Sequence, residues 1–483
     1  MSEGKGLGAA GVPAADQGAA SGVEAALPAA VERFLERIPP GARGLKRLLR
    51  RGVRLGLSHR ALLEKAALAL GLRGLAAVSS LLLNIMLGRA LGPAGLGLYF
   101  LATTIARMLG LVGTWGGEQS STRLVARARA RGRHDEARGA AQTAMIICGA
   151  GSTVMAVLLY LLAGPIAVGI FNNPDLVPVL KAVAPLIVLH GFTLVIGGLF
   201  VAVERAGLAV FINALGAPLA GVIIYGFLVG ERTLGTAIQS VLISTALTGL
   251  AGLALWAVIA RKALGSGQAP IDFGPAFKSG VHLVLVTLVA RAQEWMTVIL
   301  LGILATATEL AQFSLPNRIT GLMMIILIAV NMTVRGRYAS LHATGDTAGL
   351  ERLARVVNGL TMVLAAGPTL VLLAFPGFIM GLFGDGFVSA APILQLLAVT
   401  QWFAVSMGSV GQLLLMGGLE RVAMRISVGC ALLLLVALLI AIPVWGAIGA
   451  AVAAALTTVI QRIWTTMAVR RHMGIRLGVT AFF

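Results

Sequence analysis

Long apolar segments recur along the chain, and short polar links separate them. A helix of about 20 apolar residues crosses the roughly 30 Å hydrocarbon core of a bilayer. The pattern therefore predicts an all-α, polytopic membrane protein with about twelve transmembrane helices. Numbered as spans one to twelve, they run near 62–88, 93–117, 140–163, 178–202, 207–229, 235–260, 279–304, 308–333, 353–376, 390–416, 421–443 and 446–469.

Basic residues are concentrated in every second link. Because Lys and Arg accumulate on the cytoplasmic side of membranes, we expect these links and both termini to be cytoplasmic. Topology then accounts for the net charge of +19, and nucleic acid is not an expected partner. The basic links carry Arg123, Arg127, Arg129, Arg131, Arg133, Arg138, Arg205, Arg261, Lys262, Lys278, Arg335, Arg337, Arg352, Arg355 and Arg421, and the opposite links hold little beyond Arg89, Lys181 and Arg232.

The N-terminal region differs from the rest of the chain. Residues 1–42 are rich in Ala, Gly, Pro and Glu, which predicts a disordered tail because they cannot bury enough apolar surface. Residues 43–60 place Leu and Val at helical spacing between arginines. This pattern fits a basic amphipathic helix on the anionic inner leaflet, and it fits equally a block of charge that only fixes the topology.

Short motifs recur between the two halves of the chain. Leu161–Phe171 resembles Leu372–Phe383, and Glu204-Arg205 recurs as Glu420-Arg421. These matches predict two six-helix bundles, 62–260 and 279–469, joined by a cytoplasmic linker at 261–278 and followed by a cytoplasmic tail at 470–483. Six is an even number, so both bundles have the same orientation, and a substrate path between them is expected.

Four arginines lie well inside predicted spans: Arg73, Arg107, Arg291 and Arg318. An arginine within a membrane span costs about 3 kcal/mol on insertion scales, so such residues usually face an aqueous cavity and serve function. Spans one and two correspond to seven and eight in the repeat, and this relation predicts that the four cations converge. One guanidinium group can donate two hydrogen bonds to phosphate oxygens, so an anionic ligand is expected.

A structural interpretation stays open for the same residues. The arginines would pair with Glu294, Glu118 or helix carbonyls and only fix the packing. Glu294 is accordingly a candidate for ion coupling or for an ion pair. Pro316, two residues before Arg318, is a candidate kink that permits gating, although proline is common in transmembrane helices.

Three stretches carry a resemblance to a known family: Leu87–Tyr99, Leu382–Leu394 and Pro443–Ala451. They are similar to the polysaccharide flippases of the multidrug/oligosaccharidyl-lipid/polysaccharide (MOP) exporter superfamily, over about 62–476. The resemblance implies a MATE-like fold and a bacterial cytoplasmic (inner) membrane protein that flips a polyprenyl-pyrophosphate-linked oligosaccharide for O-antigen or exopolysaccharide synthesis. Implied partners are membrane lipids and a glycan polymerase or glycosyltransferase. The protein is expected to be a monomer without a cofactor or metal.

Two other classes are weighed against this one. A drug or cation antiporter of the same superfamily needs an acidic residue in the first bundle, and the first six predicted spans hold no Asp or Glu at mid-membrane. A membrane enzyme of glycan assembly needs acids or metal ligands in sizeable external loops, and the predicted external loops are short with scattered acids. The residues therefore favour a transporter over an enzyme.

Overall fold

The computed structural model describes residues 60–265, 271–416 and 418–474. The predicted tail at 1–42 and almost all of the predicted helix at 43–60 lie outside the described residues. By the density of its contacts the chain divides into two units, Met1–Leu68 and Ala69–Phe483, and the second unit holds every predicted span except the first residues of span one. Most of the described residues are helical and none lies in a strand, which confirms the all-α prediction.

The helices follow the predicted spans closely. Spans one and two form Arg60–Gly113, which a short helix Gly117–Ala130 follows. Spans three to six are His134–Gly164 with a π-helical turn Pro165–Ile170, Leu176–Ala202, Ala206–Leu228 and Leu234–Leu264. Spans seven to ten are Phe273–Leu304, Ala307–Gly321 with Met324–Ala343, Thr347–Ala374, and Ala391–Ser406 with Ser409–Met416. Pro376–Gly381 and the 3₁₀ turn Asp385–Ala390 connect spans nine and ten, and spans eleven and twelve form Glu420–Met473.

Two of these helices are each a pair of spans joined at one glycine. Gly92 (φ 64, ψ −178) and Gly446 (φ 55, ψ −130) have backbone angles that side chains with a Cβ atom strongly disfavour. A Cβ atom on Gly449 would lie 2.2 Å from the carbonyl oxygen of Ala441. Eight residues of straight helix would separate these positions by about 12 Å, so the chain reverses at Gly446.

The number of membrane passes can be counted from these reversals. Nine helices of the described residues are long and apolar enough to cross a membrane. Two of the nine contain a reversal and so cross twice, and Phe273–Leu304, with 32 residues, has the length of a further span. The described chain thus matches the twelve predicted passes.

The packing follows the two halves of the sequence. One apolar core lies within the helix Gly117–Ala130 and spans three to six, and it includes Val195, Phe200 and Trp256. A second lies within spans eight to twelve, around Tyr338 and Leu413. The largest core contains residues from both halves. The domain boundaries drawn from the sequence stay predictions.

Contacts between links agree with the alternation of charge. On the basic face, Arg129 forms an ion pair with Glu204 (3.6 Å), and Arg138 donates to the carbonyl of Leu264. These contacts join the links after spans two, four and six. On the opposite face, Arg89 Nε donates to the carbonyl of Leu382 at 2.7 Å and so joins the two halves of the chain. Three basic links of the first half therefore lie together, in agreement with the alternation of charge.

Candidate functional site

A cavity of about 430 Å³ lies among spans one, two, four, five and six of the first half and spans seven and eight of the second. Ser80 and Arg107 both line it. Along a straight helix they would lie about 40 Å apart, so the reversal at Gly92 is what brings them to one cavity. The volume is within the range of small-molecule sites.

One side of the cavity is cationic. Arg107 on span two, Arg291 on span seven and Arg318 on span eight all line it. Arg107 and Arg291 are exposed where they line the cavity. Arg318 is half-buried, and its guanidinium lies 4.2 Å from the ring centre of Phe100. The sequence predicts that four arginines converge, and the structure brings three of them together from both halves of the chain, without Arg73.

None of these arginines forms a direct ion pair with a carboxylate among the described residues. The ion pairs formed by described residues join Arg129 to Glu204, Arg133 to Glu136, Arg138 to Asp135 and Arg355 to Glu351, all outside the cavity. Arg291 and Glu294, one helical turn apart, both line the cavity without forming such a pair. Glu118 and Glu294 line the same cavity, so its three arginines exceed its two carboxylates by one positive charge, and none of the three is held in a direct ion pair within the described part of the chain.

Arg73 and Pro316 lie differently from the cavity arginines. Arg73 is half-buried and is not among the residues that line the cavity. It lies two helical turns, about 10 Å, before Ser80 on the same face of span one, toward the basic links. Pro316 is buried inside the continuous helix Ala307–Gly321, and the break in span eight comes at Leu322–Met323. A gating role for Pro316 stays a prediction.

An acidic residue of the first half also reaches the cavity. Glu118 lies in the helix that follows span two, directly after the left-handed residues Trp115 (φ 48) and Gly116 (φ 72). It lines the cavity and interacts electrostatically with Arg291. Although the first six predicted spans hold no acid at mid-membrane, Glu118 brings one from the first half to the cavity, so an antiporter is less disfavoured than the sequence suggests. His190 of span four lines the cavity as well.

The remaining polar lining is uncharged and comes mainly from spans one, five and six. Asn213, Ser244 and Thr245 belong to it, and the sequence pattern does not single them out. Ser80 and Asn84 stand out in the sequence only as polar neighbours of Arg73. The sequence gives one weak indication for span six, where Ser240, Ser244 and Thr248 recur every four residues and so form a polar stripe on an otherwise apolar helix.

The chain is similar to solved transporter structures. It matches an inward-facing multidrug resistance MATE family transporter of the MOP superfamily with a TM-score of 0.66 and 14% identity, over 85% of this chain and 99% of that one. It matches the lipid II flippase MurJ in an inward closed conformation with a TM-score of 0.66 and 11% identity, over 82% and 86%. A Vibrio cholerae MATE transporter matches with a TM-score of 0.55 and 16% identity, over 85% and 98%.

The fold is thus that of a MOP superfamily transporter, a polytopic all-α membrane protein. The model of the family described as "Polysaccharide biosynthesis protein" matches residues 62–335, more than half of the sequence. The chain belongs to this polysaccharide biosynthesis protein family. No curated protein sequence matches it significantly.

Proposed function

We propose that the protein flips a polyprenyl-pyrophosphate-linked oligosaccharide across the bacterial cytoplasmic membrane for surface polysaccharide synthesis. The observation that carries the proposal is the group of Arg107, Arg291 and Arg318, which line one cavity and form no direct ion pair with a carboxylate among the described residues. Membership of the polysaccharide biosynthesis family supports the same substrate class. Transport of this kind breaks no covalent bond, so we propose a transporter and not an enzyme.

The chemistry of the headgroup fits the cationic side. A diphosphate presents several charged oxygens, and each guanidinium donates two parallel hydrogen bonds to such oxygens. Charge pairs are stronger inside a membrane protein than in water, because the effective dielectric constant is lower. The three arginines come from spans two, seven and eight, so a bound diphosphate would link the two halves of the chain.

Further roles can be assigned by position. Arg73, nearer the basic links, would meet the diphosphate on its way to the cavity. Glu294 would balance the positive charge once the headgroup leaves, either as an ion-coupling group or as a partner of Arg291. We propose cytoplasmic termini, a monomer, and glycan polymerases or glycosyltransferases as functional partners.

Alanine and lysine variants of the cationic residues test the proposal. Arg107→Ala, Arg291→Ala and Arg318→Ala should each abolish glycan export while the protein level in the membrane stays near normal. Lysine replacements should restore export only in part, since an ammonium group cannot bind two oxygens in the planar geometry of a guanidinium. Arg355→Ala is the matched control, because Arg355 pairs with Glu351 outside the cavity, and it should export normally.

Two outcomes would count against this function. Normal export from the Arg107 and Arg291 alanine variants would remove the cationic mechanism. If Arg291→Ala instead lowers the amount of protein in the membrane, and replacing Arg291 and Glu294 together with apolar residues restores it, the two residues serve as a structural ion pair and not as a ligand site.

A MATE-type antiporter is the second candidate, and two observations favour it. Glu118 supplies an acidic residue of the first half to the cavity, and a multidrug transporter matches the fold as well as the flippase does. An antiporter would extrude a cationic dye such as rhodamine 6G from cells, and Glu118→Gln would abolish this efflux. A flippase would show no dye efflux and would lose glycan export in the arginine variants.

A further inference from the structure

Charge is distributed unevenly around the cavity. Its arginines and glutamates all come from span two, the helix after it, and spans seven and eight. The lining from spans one, five and six holds amides and hydroxyls among apolar side chains, without a charged group. A lipid-linked sugar has the same division, because a charged diphosphate is joined to a neutral ring that carries hydroxyl groups.

Asn213 is held in the cavity by an irregular turn of span five. It lies at the centre of the π-helical turn Phe211–Leu215, and Pro218 follows one turn later. Pro218 has no backbone N–H, so it cannot donate the α-helical hydrogen bond to the carbonyl of Ala214, four residues before it. Regular α-helix is therefore disfavoured at this turn. Such π-helical turns often occur at functional sites. A Cβ atom on Gly197 would lie 2.1 Å from Asn213 Nδ2, so the glycine makes room for the amide beside span four.

Three side chains on this side retain hydrogen-bonding capacity. Asn213 is exposed and Ser80 partly buried, and neither side chain forms a hydrogen bond with another described residue. Asn84 Nδ2 donates to the carbonyl of Ser80 at 2.8 Å, which leaves its Oδ1 to accept. We define Ser80, Asn84 and Asn213 as the neutral wall. Ser244 and Thr245 are buried and donate to the carbonyl of Val241, so they have less to offer a ligand.

We propose that the neutral wall binds the first sugar of the glycan, the one attached directly to the diphosphate. This inference rests on the proposed function. A cavity of about 430 Å³ is near the small end of ligand sites, so it holds a headgroup and the adjoining sugar but not a long oligosaccharide. Sugar hydroxyls both donate and accept hydrogen bonds, which suits the amide of Asn213, which can do both, and the hydroxyl of Ser80, which lines the same cavity.

Binding to the purified full-length protein in lipid nanodiscs tests the assignment. One probe is a polyprenyl diphosphate without sugar, and the others are polyprenyl diphosphates that carry one glucose, galactose or N-acetylglucosamine. The wild type should bind at least one sugar-bearing probe more tightly than the sugar-free one. Asn213→Ala should weaken that binding by about three- to tenfold, as expected for one or two lost hydrogen bonds, and leave the sugar-free probe within about twofold.

Other variants separate this inference from the proposed function. Ser80→Ala removes one hydroxyl with little change in volume. It is the alternative test if Asn213→Ala folds poorly, and it should likewise weaken binding of the sugar-bearing probe and leave the sugar-free probe unchanged. Arg107→Ala should weaken all probes alike, and Asn173→Ala, in the link after span three, should weaken none. Wild-type protein that binds no probe would refute both proposals. Equal wild-type affinity for all probes, or equal effects of Asn213→Ala and Ser80→Ala on every probe, would refute the neutral wall and leave the diphosphate site standing.

Discussion

The contact between Gly97 and Ala307 allows a quantitative prediction about how the two halves of the chain meet. Gly97 is buried near the start of span two, and Ala307 is the first residue of the helix that begins span eight. A Cβ atom on Gly97 would lie 1.8 Å from the carbonyl oxygen of Ala307, whereas real Cβ atoms essentially never approach below 3.0 Å. Gly97→Ala must therefore separate two backbones by about 1.2 Å, the difference between these distances.

The cost arises from the rigidity of this contact. Both groups are backbone, so no side chain can rotate away, and overpacking of this kind costs about 1–3 kcal/mol. Because the contact lies on the face opposite the basic links, the penalty falls on the arrangement in which that face is closed. A change of this size shifts an equilibrium between closed and open arrangements by about 5- to 150-fold.

Distances between spin labels measure this shift. Labels at Glu231 and Asp385, exposed on the same face in different halves, should report a longer and broader distance distribution in Gly97→Ala than in the wild type. Gly164→Ala is the control, because Gly164 has α-helical angles and no atom within 4 Å of the added Cβ. An unchanged distribution in Gly97→Ala, with normal thermal stability, would refute the reasoning.

Three further predictions concern topology, the N-terminal region and the second reversal. A cysteine at Asn173 should react with an impermeant reagent from outside the cell and one at Arg131 should not; the reverse pattern would overturn the topology. Deletion of residues 1–42 should preserve glycan export, and loss of export at a normal protein level would contradict this. Gly446→Ala should lower the protein level in the membrane, because its φ of 55 is strained by about 1–3 kcal/mol for other residues; an unchanged level and melting temperature would count against that strain.

The spans could be predicted from the sequence because length and apolarity alone decide membrane insertion. The predicted gaps at 88–93 and 443–446 contain or adjoin the two reversals, at Gly92 and Gly446. Glycine with a nearby proline marks such points in sequence. The sequence does not predict which spans pack against each other, because the outer faces of all spans are similarly apolar.

The site was predictable only in part. Helical spacing places Arg73 on the same face as Ser80 and Asn84, but it does not show how deep the cavity extends along span one. Glu118 reaches the cavity only because the chain turns at Trp115 and Gly116, in left-handed geometry that periodicity does not detect. Asn213 is a single polar residue in an apolar span, and its role becomes visible only with the π-helical turn that presents it.

The reversal at Gly92 also bears on mechanics. Because Gly92 alone joins spans one and two, their ends at this point stay together when the protein changes conformation, and rotation about its backbone bonds sets the angle between the two spans. Ser80 lies on span one and Arg107 on span two, and both line the cavity. The distance between these proposed sugar-binding and phosphate-binding residues therefore depends on the backbone angles of one glycine.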